Sequence, residues 1–385
     1  MMRFSLYVLV LLFIRRSVEA FVLRAPPSYR PKYSTADGGR RPMVSSSDIT
    51  ETKIPETSPL PPNSFSGLVE AALQERFGSD AARIVESWRL LNMEYEHKEF
   101  VGRHQTPPIT NPETSNCFQQ AHSFVPNLKA TQFYNVENIE WARKLKKQYT
   151  TIKSEFTRVT ADMDKLTQEG NNIWAGALTE DASSYGMGWR TLVLMDRGVW
   201  DPVNVNLFPK TSKAIHDSGA PVVEAFFASM QPHTDIKLHT DNTNFVVTSH
   251  LAIDIPESGN NKCRLTIGDE TKEWINGEIL MFDTSIMHAA VNESDKTRYI
   301  LMLRLWHPDL DDIERQALQF TYDCLQMPEL VSNNAQERAM AEQQLATLHN
   351  FPEIKRGSGS AAGFGGGGGG GGAAKKQDKK KGRKK

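Results

Sequence analysis

Two copies of His-x-Asp lie close together in this chain, His233-Thr234-Asp235 and His239-Thr240-Asp241, within PHTDIKLHTDNTN at 232–244. Residues two apart on a strand face the same side, so either copy can offer one imidazole and one carboxylate to a single metal ion. With 10 histidines in the chain, one such pair is close to a chance occurrence, and the spacing alone does not choose between the copies. The second copy has partners downstream. His288 follows an apolar run in EILMFDTSIMHAAVNES, and Arg298 opens RYILMLRLW. Two histidines and one carboxylate, one histidine being distant in sequence, make the facial set that leaves three positions open on Fe(II). A buried arginine supplies the fork that a dicarboxylate needs. Zinc accepts the same donors, so a zinc hydrolase is an alternative, although the chain has no HExxH or other general-base motif. A barrel that only binds or scaffolds is a second alternative, and a degraded site would mark it; here His239, Asp241, His288 and Arg298 are all present.

These residues need a rigid frame, and the sequence predicts one. Beyond Trp189, short apolar runs broken by turns (TLVLM, VVEAFFASM, NFVVTSHLAIDI, CRLTIG, EILMFD, RYILMLRLW) predict strands. IGDETKEW has the form of a tight hairpin, and Asn276-Gly277 marks another turn. Many short strands without helices between them predict an antiparallel barrel or sandwich. The last strand is apolar on both faces, so helices are expected to cover it. His233 and Asp235 are expected in the turn leading into a strand, with Asp235 a turn residue. His307 in LWHP is expected to be structural, and Trp274 and Phe282 to be core aromatics. Upstream, SFSGLVEAALQERFGSDAARIVESWRLLNMEY has helical spacing broken at Gly78, with Ser79 or Asp80 as cap of the second helix. A helix is predicted over NIEWARKLKKQYTTIKSEFTRVTADMDKL. Two more are predicted over DLDDIERQALQFTYDCLQ and NAQERAMAEQQLATLHN.

A chain of 385 residues, 39% apolar, can bury a large core. Its formal net charge is −1, yet the last residues, KKQDKKKGRKK, are strongly basic, so the remainder is acidic on balance. The main domain shows no nucleic-acid surface, and the tail has the charge to contact anionic surfaces. Three scattered cysteines without a CxxC argue for free thiols rather than a disulfide framework or a cysteine zinc site. At the start, Arg3 precedes an apolar run from Phe4 to Ile14 that is short for a membrane span. The small residues of VEA then allow cleavage after Ala20, an uncleaved anchor helix being the alternative. The Arg-, Ser- and Pro-rich stretch that follows, with Phe21 at its head, resembles the bipartite plastid presequence of algae with complex plastids. The expected address is therefore the secretory route and the plastid, with the endoplasmic reticulum lumen or a membrane anchor as alternatives. The expected organisation is a signal peptide at 1–20, a transit peptide and linker at 21–63 and a helical segment and linker at 64–120. A main domain at 121–320, helices at 321–350 and a Gly- and Lys-rich tail at 351–385 complete it.

From about Phe124 to Leu318 the chain resembles the aspartyl/asparaginyl β-hydroxylase family of Fe(II)/2-oxoglutarate dioxygenases. The resemblance runs through FVPNLKATQFYNVENIEW, PHTDIKLHTDNTN, SHLAIDIP, CRLTIGDETKEWINGEILMFDTSIMHAAVN and RYILMLRLWHPDL. It implies a mainly β fold, a double-stranded β-helix (jelly-roll, cupin-like) barrel with flanking helices, preceded by the small helical segment. It also implies that His239, Asp241 and His288 are the catalytic metal ligands, that Arg298 binds the far carboxylate of 2-oxoglutarate and that His250 contacts the co-substrate. In that register Asp235 belongs to the look-alike copy.

Three positions depart from the family. Animal relatives often have Gly where this chain has Asp241, and plant and bacterial relatives share the full triad. A second co-substrate arginine two residues before His250 is Thr248 here. The glycine usual after Pro232 is His233. The implied cofactors are Fe(II) and 2-oxoglutarate, with ascorbate as reductant. The implied reaction hydroxylates an aspartyl/asparaginyl (or prolyl) type side chain or a small amino-acid-like substrate, forming succinate and CO2. The partner this implies is a protein or small-molecule substrate.

Overall fold

The computed structural model describes residues 56–92, 104–105, 116–119, 121–171, 173–176 and 188–354. The expectations for the leader, the transit segment before residue 56 and the tail after residue 354 fall outside the described residues. Among the described residues, no helix is long and apolar enough to cross a membrane.

Nine strands build the frame of the site: β1 Trp189–Asp196, β2 Val222–Met230, β3 Thr234–His239, β4 Val246–Asp254, β5 Cys263–Ile267, β6 Glu270–Glu273, β7 Ile279–Phe282, β8 His288–Asn292 and β9 Arg298–Trp306. They form two antiparallel sheets. The larger has seven strands and runs β7-β4-β9-β2-β1, extended by the short strands Ala175–Gly176 and Val199–Trp200; the smaller has four, in the order β6-β5-β8-β3. From β2 to β9 the chain crosses repeatedly between the sheets, which is the winding of a double-stranded β-helix with flanking helices. The fold expected from the resemblance is the one observed.

Side-chain alternation fixes what faces the interior. Cross-strand register lines up Glu224, Arg304, Thr248 and Phe282 as one row of the large sheet, and Phe226, Met302, His250 and Leu280 as the next. Ala228, Ile300 and Ala252 form a third row, and Met230 with Arg298 a fourth. Most of these apolar residues join Trp274, Ile236, Leu265, Ile267 and Ala290 in one buried cluster between the sheets. Burying a side chain of the size of Ile or Met contributes about 1.5–3 kcal/mol, so the inward face is held apolar except where polar groups have work to do.

The outer face of the large sheet is covered by helices, as its two-sided apolarity requires. The helices are α1 Phe65–Phe77, α2 Ala82–Leu91, α3 Glu140–Lys147, α4 Tyr149–Thr160, α5 Met163–Glu169, α6 Pro202–Leu207, α7 Pro209–Ser218, α8 Asp312–Gln326 and α9 Ala335–Leu348. The single long helix expected over 138–166 is thus broken at Gln148 and again at Ala161–Asp162, into α3, α4 and α5. Phe156 of α4 meets Phe227 at 4.7 Å and Tyr299 at 5.1 Å between ring centroids, and Phe208 before α7 meets Phe227 at 5.0 Å. Helices α6 and α7 lie between two strands where none was expected. Their signal was local: Asp201 caps Val203 and Asn204 by its side chain, with Pro202 at the first helical position. The second helix of the N-terminal pair lacks the expected cap at Ser79 or Asp80, because the short 3₁₀ turn Gly78–Ala81 leads straight into it. That pair packs on α8, where Arg83 grips both oxygens of Glu314 at 2.6 Å.

Turns follow the expected chemistry. The β5–β6 hairpin turns at Gly268, whose φ of 58° suits glycine and whose Cβ would lie 2.6 Å from Cys117 Sγ. The three cysteines are free and buried.

Candidate metal centre

His239 is the last residue of β3 and His288 the first of β8, and the two are paired directly across the small sheet. The register slips between His288 and Ala290, so that Ile236 pairs with Ala290 although His239 pairs with His288. Three residues of β3 therefore span two of β8. Without that bulge, strict alternation would put His239 on the face opposite Ile236; bulges next to functional sites re-aim a side chain in this way. Asp241 lies beyond the end of β3, not on it. Its backbone N–H donates to Thr284 O at 2.9 Å, which brings its carboxylate over the two histidines.

Ligand atoms of His239, Asp241 and His288 all lie within 4.8 Å of one another, a spacing that can hold a metal ion. Asp241 Oδ1 is 3.7 Å from His239 Nε2 and 3.9 Å from His288 Nε2. Both imidazoles are oriented by backbone two residues upstream: His239 Nδ1 bonds Lys237 O at 2.7 Å, and His288 Nδ1 bonds Ile286 O at 2.9 Å. A carbonyl only accepts, so each Nδ1 carries the proton and each Nε2 presents its lone pair to the cluster. Burial is the main influence on His288 and lowers its pKa to about 4. The ring is therefore neutral, the form that binds metal. Two imidazoles and one carboxylate fit Fe(II) with three open positions.

A candidate anion-binding group lies further along the interior. Arg298 is 0% exposed, and its Nε and Nη1 have no hydrogen-bond partner among the described residues. Its guanidinium carbon sits 4.2 Å from the centre of the Trp274 ring and 5.3 Å from that of Trp189. Its Nη2 also reaches Met230 Sδ at 3.6 Å. Burial pushes its pKa down to about 9, so it stays charged at neutral pH. A buried cation without an anion costs several kcal/mol, a cost that a carboxylate beside Arg298 would remove. His250 faces the same interior. Trp274 Nε1 donates to its Nδ1 at 3.2 Å. The indole N–H is a donor only, so His250 carries its proton on Nε2, a buried atom with no partner among the described residues. Burial first, then Arg298, holds its pKa well below the usual histidine value. Two donors, one cationic and one neutral, thus meet at one tryptophan.

The structure brings together His239, Asp241 and His288, and places Arg298 and His250 in the interior of the same barrel. It leaves the first copy outside. His233 lies in the turn before β3 with φ 53°, which explains why glycine suits that position, and its exposed ring reaches Asp295 at 2.8 Å. Asp235 was expected in the turn but is an exposed residue of β3, paired with Val291. His307 is structural as expected, bonded to Tyr134 Oη at 3.1 Å and Lys129 O at 3.2 Å. Trp274 is fully buried as expected, yet it also positions both Arg298 and His250. The sequence reading missed Arg304, whose Nη1 meets Asp241 Oδ2 at 2.5 Å. The signal was present: Arg304 has the same parity as Arg298 on β9, and so faces the interior.

Comparison with known proteins supports the resemblance. Residues 146–308 match the family described as Aspartyl/Asparaginyl beta-hydroxylase, a stretch that includes His239, Asp241, His250, His288 and Arg298. The chain is 27% identical over 224 residues to human "Aspartate beta-hydroxylase domain-containing protein 2", covering 56% of each chain. It is 26% identical over 225 residues to human "Aspartyl/asparaginyl beta-hydroxylase", covering 54% of this chain and 29% of that one. Over 176 residues it is 26% identical to "Ornithine lipid ester-linked acyl 2-hydroxylase" of Rhizobium tropici, covering 46% of this chain and 60% of the relative. The chain thus spans little more than half the length of the human domain-containing relative.

Proposed function

We propose that the aspartyl/asparaginyl β-hydroxylase-like region at 146–308 makes this protein an Fe(II)- and 2-oxoglutarate-dependent dioxygenase. Its substrate would be an aspartyl/asparaginyl (or prolyl) type side chain or a small amino-acid-like molecule, with succinate and CO2 as the other products. One observation carries the reading: a fully buried Arg298 with unpaired N–H groups lies in the same barrel as a complete His-Asp-His cluster. A zinc hydrolase has no use for that arginine, and a scaffold has no use for either.

His239, Asp241 and His288 would hold the iron, which when bound supplies Lewis acidity and the redox chemistry that activates dioxygen. The rest falls to the chain. Arg298 holds the far carboxylate of 2-oxoglutarate by charge-assisted hydrogen bonds. His250, fixed as the Nε2–H tautomer by Trp274, donates to an oxygen of the same molecule. The apolar rows around Phe226, Met302, Leu280 and Ile300 exclude water and strengthen these contacts. The names of the relatives cover both polypeptide side chains and a lipid acyl chain, so the substrate needs a direct test.

The test is 2-oxoglutarate turnover with Fe(II) and ascorbate, against aspartyl, asparaginyl and prolyl peptides, small amides and an acylated lipid. Slow succinate formation without substrate and faster formation with one member of the panel are expected. His288→Ala should abolish both iron binding and turnover. Hydrolysis with zinc, in a protein that does not bind 2-oxoglutarate, would overturn the reading.

A further inference from the structure

The two oxygens of Asp241 have different partners. Oδ1 faces the Nε2 atoms of His239 and His288 at 3.7 Å and 3.9 Å. Oδ2 meets Arg304 Nη1 at 2.5 Å. Asp241 lies past the end of β3, where its backbone N–H donates to Thr284 O at 2.9 Å. Arg304 is better anchored: it lies on β9 between Glu224 of β2 and Thr248 of β4, in register with both. Its Nε stands 3.4 Å from Glu224 Oε2, and only 15% of its side chain is exposed.

We propose that Arg304 is a positioning residue that keeps Asp241 a one-oxygen ligand, with Glu224 holding Arg304 in place. The inference rests on the dioxygenase reading above. A carboxylate can bind a metal through one oxygen or two. Through one, the triad leaves three positions on a six-coordinate ion, enough for a chelating 2-oxo acid and the oxidant. Through two, it leaves one position too few. Arg304 occupies the second oxygen and so prevents that closure. Charge is consistent with this. The Arg304–Glu224 pair is neutral, so a divalent ion, Asp241 and Arg298 together leave two positive charges for a dicarboxylate.

Co(II) is a suitable probe, because its visible absorption reports both metal binding and a change in its ligands. Losing an outer partner of a metal ligand typically costs about 10–100-fold in metal affinity or activity. Here the loss should fall on the co-substrate instead. Arg304→Gln is expected to bind Co(II) at least as tightly as the parent protein, while 2-oxoglutarate binds the Co(II) form roughly tenfold or more weakly. Arg304→Lys, which restores the charge without the fork, should recover part of that loss. Glu224→Gln makes the pocket more positive; a role through charge alone predicts tighter 2-oxoglutarate, and positioning predicts weaker.

Unchanged 2-oxoglutarate binding in Arg304→Gln would overturn the proposal. So would a joint fall in Co(II) affinity and melting temperature, the mark of a mere strut, or tighter 2-oxoglutarate binding in Glu224→Gln. If the parent protein bound Co(II) but no 2-oxoglutarate, the dioxygenase reading would fall and this inference with it. Normal parent binding with an unaffected Arg304→Gln would sink this inference alone.

Discussion

Asp235 and Asp241 follow the same two residues, His and Thr, and differ only in what the fold puts around them. Asp241 stands over two oriented imidazoles, whereas Asp235 points to solvent from β3. Asp241→Gly is therefore expected to weaken Fe(II) binding, and Asp235→Gly to leave it unchanged. A metal titration of both variants decides this, and equal losses would mean the wrong copy has been chosen. Arg298 is the other residue with a sharp expectation. A hydrogen bond to a charged group contributes about 1.5–3 kcal/mol, so Arg298→Ala should raise the 2-oxoglutarate dissociation constant by roughly 10- to 150-fold. Metal affinity should persist, because the guanidinium contacts Met230 and two tryptophans rather than the triad. Unaltered co-substrate affinity would move the anion site elsewhere, with Lys237 the first place to look.

At the scale of elements, the ends of β3 and β8 divide the labour. One end carries His239 and His288; the other is tied by Asn292. Its Nδ2 donates to Met230 O, Gln231 O and Lys296 O at 2.9–3.0 Å, joining the β2–β3 turn to the turn that leads into Arg298. Its Oδ1 accepts from Ser294 N at 3.1 Å and Ser294 Oγ at 2.6 Å. Each buried polar group left unsatisfied costs about 1–3 kcal/mol. Asn292→Ala is thus expected to lower the unfolding free energy by roughly 3 kcal/mol, measured by denaturant titration. It should also weaken 2-oxoglutarate binding more than metal binding, since the tie is at the arginine end. A loss well below 1 kcal/mol would show that water replaces the amide.

For the whole molecule, pH dependence follows from its buried histidines. Burial lowers the pKa of His250 and His307, and lowers that of His288 to about 4. These rings are neutral in the fold, whereas the unfolded chain takes up protons below about pH 6.5. Their contribution is present above that value and is lost as pH falls toward the folded pKa. His349 acts in the opposite sense: its bond to Asp323 raises its pKa, so its contribution is present below about pH 6.5 and lost as pH rises through the folded value. Burial also raises the carboxyls of Asp283, to about 6, and of Glu224, which act in the same sense as His349. The three depressed histidines are expected to outweigh them between about pH 7 and pH 5. Metal-stripped protein should therefore be less stable at pH 5 than at pH 7, by roughly 2 kcal/mol from His288 alone. Denaturant midpoints at the two pH values provide the check, and a flat or rising profile toward acid would contradict it.

The sequence by itself determined the strand runs, the helices at both ends and the hairpins, because alternation, turn residues and helical spacing are local properties. It also singled out the residues of the candidate site, His239, Asp241, His288 and Arg298, through their types, their order and the motif resemblance around them, and the fold brings the first three within 4.8 Å of one another. Tertiary structure alone decided three things. The bulge in β3 turns His239 to the interior, and a bulge depends on how one strand registers with its partner, not on its own residues. Trp274 fixes the tautomer of His250 across a loop, a contact between residues distant in the chain. Arg304 divides the two oxygens of Asp241 between an arginine and the imidazoles, because strand pairing brings residues 224, 248 and 304 into one row. Spacing along a chain specifies which face a side chain occupies; only pairing between strands specifies what it meets there.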